Sequence, residues 1–512
     1  MPENLPPTFR IAVIGSGVSG IAAASVLQRC GHEVTIYERS DKIGGVWSST
    51  YPQTHLQNLG SQYRISGSPA DSGMDGHPSA KQITAYLEQT IERYDLPVRT
   101  SHEVTNIDDR KGQGWQVTVT HDGETATNYF DKVIIAVGQY TQKRKRPDFP
   151  GEADFKGHIM SERDIEDFAE LNGKRVAVVG FGKSALDVAA LSAKSGAKVS
   201  HVFRQPRWMI PKHLFGIHFS HLLFSRQSTE MMTSWAHASS RARFVHNSLS
   251  FVVNGFWSFL TFVLNVNIKR RIRGISPEGR ARIAKIRPEH SLLPDLRSAS
   301  ALEPDDYIAL IASGEIEPYN GELEAFTADG LALGNGEHVD ADVVLLALGS
   351  TAPVFPFLPR EYREMLESEH DGVQLYRHLI HPRIPNMAFA GYNHGFMHIP
   401  AAEVGALWTD AVFSGRMNLP EVEEMEASIA HIQEWKRKHI HFEPSRSCAV
   451  NTRFHQYLDI VLQDLTLSRY RKMPNIFAEV LMRYTSDDYE DVVNEYRDIP
   501  IRTTFTPLPL DT

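Results

Sequence analysis

Short, continuous apolar runs dominate the first part of the chain, where a half-exposed sheet would alternate. Arg10-Ile-Ala-Val-Ile14 and Glu33-Val-Thr-Ile-Tyr37 read as strands buried on both faces, the mark of a parallel sheet. Between them IAAASVLQRCG is an Ala-rich helical stretch that stops at Gly31. The same strand, helix, strand order returns at Arg175-Val-Ala-Val-Val179, LDVAALSAKSG and Lys198-Val-Ser-His-Val-Phe203. Near the C-terminal end, residues 386–391 form a short strand, residues 392–396 a loop, and Pro400 opens a helix in which its missing N–H costs nothing. Residues 215–287 are rich in Phe, His, Met and Trp and read as inserted helices. This alternation predicts an α/β fold with two Rossmann-like dinucleotide-binding domains plus a helical insertion.

Inside the insertion, residues 247–268 contain no Asp, Glu, Lys or Arg, and Lys269, Arg270, Arg271 and Arg273 follow at once. Two readings stay open: a helix covering a substrate channel, or one lying in a membrane surface, with peripheral contact through residues 247–273. Asn254 and Asn265 argue against a span, because each amide needs a partner in hydrocarbon. The remaining composition is ordinary. A chain of 512 residues, 42% hydrophobic and 22% charged, holds two or three globular domains and is neither disordered nor fibrous. The net charge of −9 speaks against nucleic acid as a partner. Cys30 and Cys448 are the only cysteines, which excludes a disulfide framework and fits a reducing, cytoplasmic setting. The start MPENLPPTFR has no apolar signal core. The histidines show no metal-ligand spacing, so no metal is expected.

Candidate chemistry sits at the strand ends. The first strand runs into Gly15-Ser-Gly17-Val-Ser-Gly20, and the next ends at Glu38. Gly15 permits a tight turn, Gly17 admits a pyrophosphate, and Gly20 lets helix and strand pack closely. The helix N-terminus then faces the anion, and Glu38 can accept both ribose hydroxyls. The second cradle is Gly180-Phe-Gly182-Lys-Ser-Ala185, and the residue matching Glu38 is Arg204. A carboxylate there would repel a 2′-phosphate, whereas a guanidinium binds it, so the second unit suits NADPH. Lys183 and Arg207 are further phosphate candidates, and the cluster Lys143-Arg-Lys-Arg146 would steer an anionic cofactor. Two nucleotide sites of opposite preference imply electron transfer between two cofactors.

Beyond the first cradle come Gly44-Gly45-Val46-Trp47, Tyr51 and Leu56-Gln57-Asn58. With the crossing segments 131–138 and 340–349, Phe355-Pro-Phe-Leu358 and the stretch from Glu403 to Trp408, the chain resembles the class B flavin-dependent monooxygenases, the flavin-containing monooxygenases and their Baeyer–Villiger relatives. The resemblance implies an FAD domain (residues 1–155 and 350–512, the latter with a helical extension) and an inserted NADPH domain (residues 156–349, with helices at about 213–290). It implies that FAD lies against Gly15, Ser16, Gly17, Ser19, Gly20, Glu38, Arg39, Gly45, Val46, Trp47, Asn58, Val104, Gly138, Gly349 and Asn393. NADPH is expected at Gly180, Gly182, Lys183, Ser184 and Arg204. Asn58 is the expected catalytic residue, a neutral donor beside the C4a-(hydro)peroxyflavin that inserts one oxygen of dioxygen into a bulky organic substrate. Attack by nitrogen or sulfur and Baeyer–Villiger oxidation of a ketone both remain open. The family fingerprint Phe-x-Gly-x-x-x-His is altered: Phe155 and Gly157 stand, and Ser161 replaces the histidine. Val137 and Leu348 replace the threonines of the crossing motifs. A flavin disulfide reductase shares the two-unit plan but needs a redox cysteine pair, and no C-x-x-C occurs. A non-catalytic scaffold would have no need of both glycine fingerprints and Arg204.

Overall fold

The computed structural model describes residues 7–69, 72–139, 144–237, 239–298, 301–440 and 450–510. Its apolar runs pair into two five-stranded parallel sheets. The first is ordered Met387–Phe389, Lys132–Ile135, Arg10–Ile14, Glu33–Tyr37, Val98–Arg99. In the second, the order is Ile316–Asn320, Lys198–Phe203, Arg175–Val179, Val343–Leu346, His158–Ser161. In each sheet the strand that feeds the glycine turn is central, paired in register with its neighbours (Ile11 with Val34 and Lys132; Val176 with Val199 and Val343). Ile11, Val13, Val176 and Val178 are completely buried, as a parallel strand covered on both faces requires. Each sheet is accompanied by a three-stranded antiparallel meander, at residues 103–130 and 323–340.

The C-terminal strand leads into the helix His398–Phe413, which begins two residues before Pro400 and packs along the first cradle helix, Val18–Arg29. Pro400 therefore lies within the first turn, where a missing N–H is still tolerated. The insertion opens with a small hairpin, His213–Leu214 against Ile217–His218, and only then becomes helical. Its longest helix, Ser250–Arg271, is long and apolar enough to cross a membrane by length and composition. The insertion's apolar residues Leu214, Phe219 and Trp257 join the core of the first unit, together with Ile11 and Val13.

Two buried cations fasten the C-terminal extension. Arg226, in the insertion, reaches Asp459 and Glu479 at 2.6 Å each, and Arg377 reaches Asp464 at 2.9 Å, where Trp408 also donates. Charges so deeply buried persist only when paired, so these contacts fix how the extension seats.

Glu403, on the closing helix, is a different case. Its carboxylate is 1% exposed and accepts from Ser66 N at 2.9 Å and Ser66 Oγ at 2.6 Å. Burial pushes its carboxyl from 4.5 up to about 7. The fold therefore holds a proton that the unfolded chain releases near 4.5, and stability declines as pH rises through that window. Glu403→Gln keeps an acceptor for Ser66 without the charge. It should flatten the decline and stabilise the protein at pH 8 by about 2–3 kcal/mol, read by thermal unfolding across pH.

Candidate active site

The glycine turn folds as the spacing demands. Gly15 has φ +111°, and a Cβ there would lie 2.5 Å from the carbonyl oxygen of Ala136. At Gly20 a Cβ would lie 2.1 Å from the carbonyl oxygen of Gly15, so this residue serves helix–strand contact and not the cofactor surface. Gly44 N donates to Ser16 O at 3.0 Å and so bolts the second glycine turn onto the first. Glu38 accepts from Ser16 N and Oγ and from Ser40 N at 2.9–3.0 Å, which holds its carboxylate in place while it lines the cleft.

One cavity of about 1360 Å³ runs along both units. Gly15, Gly17, Ser19, Glu38, Arg39, Gly45, Val46, Trp47, Asn58, Val104 and Gly138 line it on the first unit, Lys183, Ser184 and Gly349 on the second side. Several expected residues lie elsewhere. Ser16 is fully buried behind Glu38. Asn393 is also fully buried: its amide donates to Ala401 O at 2.7 Å and to Tyr457 Oη at 3.1 Å, bracing the closing helix from outside the cleft. Gly180 and Gly182 form the second turn without lining this cavity; Gly182 caps the helix Lys183–Lys194. Arg204 stands at the end of its strand with its side chain 73% exposed, 3.6 Å from Glu322 and outside the cavity. Arg207 also lies outside this cavity, lining a separate small pocket beside Leu264. Ser161 takes the place of the family histidine by capping a short turn, bonding Arg163 N and Glu162.

Further lining groups are fixed by contacts that no motif marks. Arg144, from the basic cluster, reaches Glu162 at 3.0 Å and Ser350 Oγ at 2.9 Å; Lys143 lies outside the described residues. His398 joins Ser19 Oγ at 2.8 Å, lies 3.1 Å from His394 Nδ1 and stacks on Tyr63, which in turn accepts from Trp47 Nε1. Burial lowers His398 to about 4, so it stays neutral. Tyr51 donates to Asp187 at 2.8 Å, and the same carboxylate holds Lys183, a polar strut from the first unit to the second.

Asn58 is gripped from two ends. Its Nδ2 donates to Phe396 O, and its own carbonyl lies 3.1 Å from His77 Nδ1, which also reaches Leu56 O at 3.0 Å. Carbonyls only accept, so His77 Nδ1 carries the proton. Its Nε2 must then accept from His218 Nε2 at 3.2 Å, and His218 Nδ1 is left to accept from Ser220 N. Burial lowers both histidines, His218 to about 4, which preserves this proton arrangement through neutral pH. Rings close the circuit: His77 stacks on Phe219, Phe219 meets Phe224, and Phe224 meets Phe396 edge-on at 5.1 Å.

Known proteins resemble this chain over most of its length. Residues 11–220 match the family model "Pyridine nucleotide-disulphide oxidoreductase", and residues 290–481 match "Flavin-binding monooxygenase-like". The probable flavin-containing monooxygenase 1 of Arabidopsis thaliana is 29% identical over 96% of this chain and 98% of its own length. Flavin-containing monooxygenase 5 of Rattus norvegicus is 26% identical over 83% of this chain and 77% of its own. The chain belongs to the class B flavin-dependent monooxygenases. Among solved structures, the monooxygenase resembles S-allyl-L-cysteine S-oxygenase from Allium sativum (TM-score 0.60, 19% identity, 96% of this chain and 99% of that one). It also resembles cyclohexanone monooxygenase (TM-score 0.65, 17% identity, 90% and 98%). Its cofactors are FAD and NADPH. The cradle fits FAD, since Gly15, Gly17 and Gly45 leave bare backbone beside the cavity and Glu38 waits for hydroxyls. Against the disulfide reductase reading, Cys30 is the capping residue of a buried helix, and burial pushes its thiol far up. Cys448 lies outside the described residues.

His77→Ala should leave the Asn58 carbonyl and His218 without their partner. The monooxygenase should then lose up to about a hundredfold in kcat through misplacement of Asn58. NADPH binding should stay unchanged, as checked by steady-state kinetics beside a fluorescence titration.

Proposed function

We propose that the enzyme oxygenates a soft nitrogen or sulfur in a bulky apolar substrate, using NADPH and dioxygen. The observation that carries this reading is the neutral amide of Asn58, held in the cleft near His77 and His398, which burial keeps uncharged, with two of the lining cations, Lys183 and Arg144, paired to Asp187 and Glu162. Oxygen transfer to a lone pair is favoured when the departing oxygen keeps its proton, and a neutral amide beside it serves that end. Bound FAD, reduced by NADPH, supplies the activation of dioxygen: one oxygen goes to substrate and the other leaves as water.

The chain's own residues bind, orient and exclude water. Gly15, Gly17 and Gly45 admit backbone approach, Glu38 holds ribose hydroxyls, and Trp47 forms an apolar wall fixed through Tyr63. Asn58 donates a hydrogen bond while supplying no acidic proton. The N-terminus of His398–Phe413 adds a partial positive charge that favours an anionic ring by about 0.3–2 kcal/mol. Arg204 meets the 2′-phosphate after leaving Glu322.

The reaction class is tested by supplying a thioether, a tertiary amine and a cyclic ketone in turn. A sulfoxide or N-oxide is the expected product, whereas lactone alone would make ketone insertion the activity. Asn58→Ala should lower kcat by about a hundredfold and raise the hydrogen peroxide released per NADPH consumed. Arg204→Ala should weaken NADPH binding about tenfold or more while sparing NADH, and Glu322→Gln should tighten NADPH; equal effects on both nucleotides would refute the phosphate assignment.

A further inference from the structure

Between Glu230 and Glu278 the chain has neither Asp nor Glu, although its net charge is −9. That stretch carries Arg241, Arg243, Lys269, Arg270, Arg271 and Arg273, all exposed. It also contains the helix Ser250–Arg271, about 33 Å long at about 1.5 Å per residue. One face of the helix belongs to the protein. Val253, Trp257 and Leu264 are buried, Trp257 Nε1 donates to Met231 O at 2.8 Å, and Arg287 donates to Asn265 Oδ1 at 2.9 Å. These anchors hold the helix flat along the body and leave it unable to cross a bilayer alone.

The opposite face is apolar and open. Phe251, Phe259 and Phe262 are 69%, 62% and 63% exposed, and with Val266 they recur at helical spacing along a single stripe. That stripe runs directly into Lys269 and Arg270. A second apolar foothold hangs from the same neighbourhood: Ile476 and Phe477 are 67% and 66% exposed. The short helix Arg226–Glu230 links the two, since Arg226 binds Glu479 while Met231, its capping residue, receives the Trp257 bond.

We propose that this face seats the enzyme on an anionic lipid surface. The phenyl rings enter the headgroup boundary, and Lys269, Arg270, Arg241 and Arg243 meet lipid phosphates. The charge pattern selects this occupant. Two copies facing each other would set cation against cation, and a nucleic acid backbone offers nothing to a row of phenyl rings. In this arrangement the helix lies in the plane of the surface, and an apolar substrate dissolved in lipid comes close to the insertion.

The test is co-sedimentation of the full-length, FAD-loaded enzyme with vesicles of phosphatidylcholine alone and of phosphatidylcholine with phosphatidylserine. Binding is expected with the anionic vesicles and should weaken as salt rises. The double variant Lys269→Glu/Arg270→Glu and, separately, Phe259→Ser/Phe262→Ser should each reduce binding about tenfold or more, with FAD content and NADPH consumption unchanged. Three results would overturn the assignment: no sedimentation of the folded enzyme with either vesicle, binding that both variants leave intact, or a dimer that the phenylalanine variant dissolves while vesicles have no effect.

Discussion

Backbone must touch backbone for this enzyme to have a cofactor site at all. The carbonyl of Gly15 lies where a side chain at Gly20 would begin, and the turn Gly44–Gly45 closes over Gly17. Because the first helix can settle this close to its strand, the second glycine turn finds a seat, and the loop leading to Tyr51 and Asn58 leaves that seat in a defined direction. The hydrogen bonds that later hold Asn58 act on a chain already aimed at the cleft. Glycine is needed here for space and for the left-handed backbone of Gly15, Gly44 and Gly45.

Polar struts join the two nucleotide sheets, beside the apolar core that the insertion shares with the first unit. The second sheet and its helix keep a core of their own, built on Val176, Val178 and Leu345. Across the boundary run Tyr51 to Asp187, Leu302 N to Gln57, and Asn451 to Ser298 O. Such an interface holds a geometry while leaving small relative motion affordable in free energy, in keeping with a site that must receive a nicotinamide and then a substrate.

Much of this was legible from the sequence because it rests on local rules. Buried parallel strands show as unbroken apolar runs, and a cradle shows as glycines at fixed offsets, so both sheets and the lining of the first cleft could be anticipated. What escaped depends on contacts distant in sequence. Asn393 lies beside a conspicuous loop, yet its amide is spent on Ala401 and Tyr457. Arg207 is three residues from Arg204 and points to another pocket altogether. His77 and His218 carry no motif, and only folding brings their rings within 3.2 Å. The hairpin that opens the insertion was hidden because two-residue strands leave no periodicity to detect.

The insertion belongs to the second unit by its peptide bonds and packs on both. It leaves the second sheet after Phe203; Leu214, Phe219 and Trp257 sit in the core of the first unit, Ile283 and Ile286 return to the core of the second, and Arg226 locks the insertion to the C-terminal extension. A rotation of the second sheet would therefore carry the end of the insertion at Ile283 and Ile286 with it, while Trp257 and Arg226 hold the rest to the first unit and the C-terminal extension. Coenzyme exchange and substrate entry are thus mechanically coupled through the insertion.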